Sequence, residues 1–253
     1  MPPPAAGAAA PTGAGSHRSR GVPRAVGCGD VEAGFHPPLE EYLETVHTLG
    51  EEGTPAIQAR IAERLGRSAP SVSEMLDRLE DEGYVRRSGR LVELTDSGSA
   101  VAEKVVRRHR LAERLLVDVI GLEWHKVHRE AARWEHVISD DVERRLVVLL
   151  GDPSTCPHGN PIPGAGSELP AVEQRVLADV PPGGKVLLRR ISEEVELDSA
   201  LLAYLDANGF TPGATASVVS VGREGSVELE VDGATVPIPP DLARRLYVSG
   251  EIS

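Results

Sequence analysis

The sequence predicts a mainly α-helical protein with a small β portion: a helix-turn-helix followed by a hairpin wing, a helical middle, and a small β-barrel at the end. Three observations predict it. Apolar residues recur at helical spacing from Leu39 to Leu150, glycines close most of those runs, and strand-like alternation dominates only after residue 171. The 253 residues, 40% hydrophobic and 26% charged, can bury real cores but divide most naturally into modest domains.

Residues 1–36 are dominated by Pro, Ala and Gly with few large apolar side chains, and are expected to form a disordered extension because they cannot offset the entropy of ordering. Leu39, Tyr42, Leu43, Val46 and Leu49 then share one face of a first helix, with Gly50 as its stop. Ile57, Ile61 and Leu65 mark a second helix ended by Gly66. Ser68 caps a third that carries Val72, Met75, Leu76 and Leu79 and closes at Gly83, and YVRRSGRLVEL follows as two short strands. Thr95 caps a long helix stopped by Gly121, Glu123 to Ile138 forms the next, and Asp140 with Glu143 resembles a capping box for a helix ending at Gly151. GDPSTCPHGNPIPGAGSELP has a linker's composition. Beyond it KVLLRRI, ATASVVSV and SVELEV alternate like strands, and DSALLAYLDANG is a short helix.

No run approaches the roughly 18 consecutive apolar residues of a membrane span, and the N-terminus lacks a signal peptide's apolar core, so a cytoplasmic, non-membrane protein is expected. Cys28 and Cys156 give no disulfide framework. A net charge of -12 argues against nucleic acid only if it is spread evenly, and it is not. Residues 56–90 hold seven arginines against six acids, whereas the segment from 171 onward holds 13 acids against 7 bases.

Helices two and three are joined by only a few residues, so the third can enter a major groove while the second braces it. The small polar start of the third, Ser68, Pro70, Ser71 and Ser73, lets bases approach, with Arg60 and Arg78 among the arginines around it. The bland alternative is a helical bundle whose arginines only solvate a face.

The Glu123–Ile138 helix carries His128, Ala132, Glu135 and His136 at i, i+4, i+7 and i+8, one stripe on a helix. His109 and Glu113 stand at i and i+4 on the preceding helix, with His109 in register with apolar neighbours. Singly, His109 reads as a satisfied core histidine, Glu113 as a partner of Arg110 and His128 as surface. Jointly they read as ligands, since imidazole and carboxylate suit first-row transition metals and two helices can converge on one ion. Cys156-x-His158 is left out of the ligand set because it falls in the Pro/Gly-rich loop.

Through ARIAERLGRSAPSVSEMLDRLEDEGYV, VRRHRLAERLLVDVIGLEW, VHREAARWEHVISDDVERRL and HGNPIPG, the chain resembles the diphtheria toxin repressor family of iron- and manganese-dependent regulators from Leu39 to about Gly164. The resemblance implies a winged helix-turn-helix DNA-binding domain over 37–99, a helical dimerisation and metal-binding domain over 100–152, a linker over 153–172 and an SH3-like domain over 173–253. It implies two metal sites per subunit. The ancillary site falls on His109, Glu113 and His128, completed by Glu193 and Glu196; the primary site falls on Glu41, Ala132, Glu135 and His136.

Two positions depart from the iron-type pattern. Glu41, with Glu44 one turn on, replaces a methionine and supplies hard oxygens that favour Mn(II) or Fe(II). Ala132 replaces a cysteine or acid and offers only its carbonyl, which leaves three readings: water, Glu44 or His109 fills the gap, the site is weakened, or a cysteine native to this position has been replaced. Glu74 replaces a glutamine of the recognition helix, where an acid repels phosphate or accepts from a cytosine amino group. The expected function is that of a homodimeric, metal-dependent repressor of metal-homeostasis genes on a palindromic double-stranded operator, not an enzyme. The rivals are a metal-independent DNA-binding regulator with a decayed primary site and a helical-bundle metallohydrolase.

Overall fold

The computed structural model describes residues 38–165 and 174–251; the N-terminal extension, with Cys28, lies outside them. The first three helices are α1 (Pro38–Glu51), α2 (Gln58–Leu65) and α3 (Ala69–Asp81), followed by the hairpin β1 (Val85–Ser88) and β2 (Leu91–Leu94). α1 runs one residue past Gly50, and the left-handed glycine that ends the turn beyond it is Gly53 (φ 66). Tyr42, Leu43, Ile61, Val72, Leu76, Leu79 and Val92 fill the first core. The Gln58 amide donates to the Ala69 carbonyl at 2.9 Å and pins the turn between α2 and α3.

α4 (Asp96–Leu115), capped by Thr95, continues as a single π-helical turn (Leu116–Ile120) before Gly121 ends it. Gly98 is where it crosses the wing: a β-carbon there would lie 2.0 Å from the Tyr84 carbonyl oxygen. α4 serves two cores. Ala102 belongs to the first, and Leu111 and Ala112 to a second built with Val127, Ala131, Ile138, Leu146 and Ile162, so the expected domain boundary near residue 99 falls inside one continuous helix.

The helix expected over 123–138 is shorter. A 3-10 turn (Trp124–Lys126) leads into α5 (Val127–Trp134), so Glu135 and His136 sit beyond its end rather than on its stripe. α6 (Asp140–Leu150) is capped by Ser139, which accepts from the Val142 amide at 3.3 Å, and not by Asp140, whose carboxylate pairs with Lys104 and Arg108. The expected linker is folded where it is described: a Thr155–Pro161 bridge closes a loop that buries Cys156, His158, Asn160 and Ile162.

The last unit comprises β3 (Arg175–Val176), β4 (Lys185–Ile191), α7 (Glu193–Glu196), α8 (Ser199–Ala207), β5 (Thr215–Val221), β6 (Val227–Val231), β7 (Ala234–Ile238), α9 (Pro240–Ala243) and β8 (Leu246–Glu251). Its six antiparallel strands run in the order β3-β8-β4-β5-β6-β7 around Leu188, Ile191, Leu202, Phe210, Leu229 and Val236, the SH3-like arrangement. The units are bolted together near Glu51. Arg110 of α4 donates to Glu51 and to the Pro161 carbonyl, Arg190 donates to the Glu51 carbonyl at 3.1 Å, and the Glu193 amide donates to Glu52 at 2.9 Å.

Candidate metal centre

Five ionisable side chains from four segments converge between α4, α5, the folded loop and α7. The Glu113 carboxylate oxygen Oε1 lies 3.2 Å from His109 Nε2, 3.2 Å from His128 Nδ1 and 3.1 Å from His158 Nδ1. Glu196 Oε2 lies 3.1 Å from His128 and 3.1 Å from His158. Glu113 and His158 have no exposed surface, and Glu113 Oε2 has no hydrogen-bond partner. The set fits a cation. Donors bound about 2.1 Å from one ion in adjacent octahedral positions sit about 3 Å apart, and an orphaned buried carboxylate oxygen requires a compensating charge.

Protons stand in for that charge when no ion is bound. Burial opposes charging His109, but Glu113 and Glu135 hold its pKa well above the ordinary value. His128 is likewise raised against burial to about 9 by Glu113 and Glu196. Burial would push Glu113 up, yet His158 and His109 keep it well below the carboxylate range. Burial, reinforced by Glu113, pushes the Cys156 thiol up to about 12.

A second group adjoins the first through the other nitrogen of His109. His109 Nδ1 contacts Glu135 Oε2; Glu135 Oε1 lies 3.0 Å from His136 Nε2; and His136 Nδ1 faces Glu40 of α1. Glu44, one turn further along α1, has a carboxylate oxygen within 4.8 Å of His109 and Glu135 donors. Its pKa is raised well above normal by burial and by the Glu135 carboxylate. Glu135 itself, despite burial, is drawn down to about 2 by His109 and His136.

The expected ligands therefore divide. His109, Glu113, His128 and Glu196 come together, whereas Glu193 turns to Arg110 at 3.6 Å. Glu135, His136 and Glu44 adjoin one another, but Glu41 lies 3.7 Å from Arg67, and Ala132 supplies no side-chain donor. His158 and Cys156, set aside in the sequence reading, lie against these donors, and Glu40, not considered there, faces His136. The Cys-x-His spacing was the available signal for the first two, masked by the surrounding Pro and Gly.

On the reading head Arg60, Ser68, Pro70, Ser71, Glu74 and Arg78 are exposed and Ser73 is half-buried. Ser68 doubles as the cap of α3, accepting from the Ser71 amide at 3.4 Å. The arginine cluster is less free than its sequence suggests. Arg64, Arg78, Arg86 and Arg87 are paired with Glu52, Glu82, Glu93 and Asp77/Glu80 respectively. In α5, α6 and the turn between them, Leu146 is internal and Trp134 is half-buried on the same core, while Val137, Val148 and Leu149 are 74%, 78% and 60% exposed.

Residues 35–91 match the model of the iron dependent repressor N-terminal DNA binding domain, and residues 95–164 match that of the iron dependent repressor metal binding and dimerisation domain. The chain belongs to the iron-dependent repressor family of metal-dependent, DNA-binding transcriptional repressors. Residues 175–250 match the FeoA domain. The chain is 45% identical over 220 residues to the iron-dependent repressor IdeR of Mycobacterium tuberculosis (strain H37Rv), covering 83% of this chain and 95% of that protein. It is 41% identical over 217 residues to the diphtheria toxin repressor of Corynebacterium diphtheriae, covering 83% and 95%. A manganese-dependent transcriptional repressor in complex with manganese superposes with a TM-score of 0.75 at 34% identity, covering 84% of this chain and all of that one (100%). Among the described residues no helix is long and apolar enough to cross a membrane.

Proposed function

We propose that this family member is a homodimeric repressor whose hold on a palindromic operator is switched by Mn(II) or Fe(II), with two metal sites in each subunit. One observation carries the reading: acids of α1, inside the DNA-binding unit, reach the donors at the end of α5. Glu44, His109, Glu135 and His136 would hold one ion, with Glu40 supporting His136. His109, Glu113, His128 and Glu196 would hold the other. The ion supplies positive charge that reconciles carboxylates otherwise in mutual repulsion.

This chain's residues do the rest. Burial, reinforced by the neighbouring Glu135 carboxylate, holds the proton on Glu44 beyond the ordinary carboxylate range. Glu44 and Glu135 would hold the cation between them, which would relieve that penalty and favour the seating of α1 against the end of α5. Such an ion shifts the conformational equilibrium only by its difference in affinity for the two seatings. α1 packs on α2, so its seat sets the pose of α3. Val137, Val148 and Leu149 form the two-fold contact that spaces two reading heads, and no chemistry on a substrate is required.

The test is fluorescence anisotropy on an operator selected from random duplexes. Binding is expected with buffered Mn(II) and lost in strong chelator. Equal binding in chelator overturns the switch and leaves a metal-independent DNA-binding protein.

A further inference from the structure

Residues 1–37 take no part in the proposed switch, and they join the folded protein beside the recognition helix. α1 starts at Pro38, and its opening turns touch the start of α3: Glu41 lies 3.7 Å from Arg67 in the turn before it, and the side chains of Tyr42 and Ser71 share a hydrogen bond. Leu39 packs on the first core and fixes where the helix begins. Ser68, Pro70 and Ser71 are exposed at this same end of α3. The segment ahead of Pro38 therefore meets the protein at the rim of the surface that faces the duplex.

The charge of that segment is opposite to the chain's. Residues 1–29 hold Arg18, Arg20 and Arg24, all within SHRSRGVPR, and no Asp or Glu, in a chain of net charge -12. They also stand ahead of residue 35, where the match to the repressor DNA-binding domain starts.

The reading head, by contrast, has little positive charge to spare. Arg64, Arg67, Arg78, Arg86 and Arg87 each face an acid, which leaves Arg60 and Arg90 as the bases of residues 56–90 without an ion pair among the described residues. Glu74 is exposed on α3 itself. Duplex DNA presents a phosphate charge about every 1.7 Å of its axis, and affinity grows with the number of phosphates neutralised. Charge acts locally, so three arginines at the rim of the head count for more than the distant acids of the SH3-like unit. Reach is sufficient. Arg24 stands 14 positions before Pro38, a span of up to about 46 Å when extended, against about 34 Å for one turn of duplex.

We propose that residues 1–37 act as a basic arm that runs along the DNA flanking the bases read by α3, with Arg18, Arg20 and Arg24 on backbone phosphates. The arm adds affinity without sequence preference, since phosphate contacts carry no base information. It rests on the DNA binding of the family and not on the metal switch.

The test combines Arg18→Ala, Arg20→Ala and Arg24→Ala in the full chain. Anisotropy is followed with Mn(II) over a salt series on two forms of the selected operator, one trimmed to the selected bases and one carrying a further turn of duplex at each end. On the long form the triple variant should lose about two to three units of the slope of log affinity against log salt, and bind at least about tenfold more weakly at low salt. On the trimmed form the two proteins should bind alike. Lysines at the same three positions should restore the slope. An unchanged slope and affinity on the long form overturns the proposal, and so does an equal loss on the trimmed form. Tighter binding by the triple variant overturns it as well, because the arginines would then pair with the chain's own acids. Lysines that fail to restore the slope remove charge as the cause, and the arm with it. Repeating the series in strong chelator on a long unrelated duplex keeps the readings apart: the loss of slope should persist there, whereas operator binding that ignores Mn(II) removes the switch and leaves the arm.

Discussion

Two groups of donors meet at one imidazole and are built differently. The inner group, around Glu113, is sealed, and its donors come from α4, α5, the folded loop and α7, elements fixed by the second core and the docking of the SH3-like unit. The outer group, around Glu135, takes Glu40 and Glu44 from α1, which belongs to the DNA-binding unit, and both acids are only half-buried. Donor chemistry is nearly the same in the two. What separates a clamp from a switch is which elements the donors join.

The largest effect should come from the outer group. Glu135→Ala or His136→Ala is expected to abolish Mn(II)-activated operator binding by anisotropy, while Glu196→Ala, in the inner group, only weakens it. A Glu135→Ala protein that responds normally to Mn(II) would erase the distinction. Next in size is the brace behind both groups. Arg110 is 2% exposed and joins Glu51, the Pro161 carbonyl and Glu193, so Arg110→Ala leaves two half-buried acids uncompensated. Denaturant unfolding should show a loss of about 3–5 kcal/mol, with or without metal.

Acidity offers a gentler probe of the inner group. His128 has a folded pKa of about 9 against an ordinary 6.5, so its contribution to the metal-free protein is complete below 6.5 and disappears as the pH rises through 9. Thermal unfolding of the metal-free chain should therefore fall across that window. Metal affinity, measured by competition with a chelator of known affinity, should rise across the same window as fewer protons must be expelled. A flat profile in both would mean that His128 does not titrate as a ligand. The smallest effect belongs to the reading head. Arg60→Ala should lower the salt dependence of DNA binding by about one unit of slope, equally on all sequences, without altering the Mn(II) response. Arg78, already paired with Glu82, should matter less.

Much of this was legible in the sequence because periodicity reports local burial. α2, α3, the wing and α4 follow from Ile61, Val72, Leu76, Ser68 and Thr95, whose roles depend on neighbours a few residues away. His109 and Glu113 were visible as one face of one helix. The ends of elements were harder: α5 stops at Trp134, and Ser139 rather than Asp140 caps α6, because tertiary contacts to Lys104 and Arg108 draw the aspartate away. Glu44 over Glu41 depends on the rotation of α1 against α4, which spacing does not encode. His158 was least legible, since its burial arises from docking on β4, outside any local period.

The continuity of α4 acts as a gauge for the whole assembly. Its 20 residues, about 30 Å of helix, begin under the wing and end among the metal donors, with residues in both cores. The reading head is thus indexed to the dimer surface by a count of residues. One extra residue between Ala102 and Leu111 would turn the head through about 100° relative to its partner, whereas seven would restore the facing and lengthen the reach by about 10 Å. Under the proposed reading, the half-site separation that the protein can read is written in the length of that helix, and bound ions would only decide whether the head is seated firmly enough to use it.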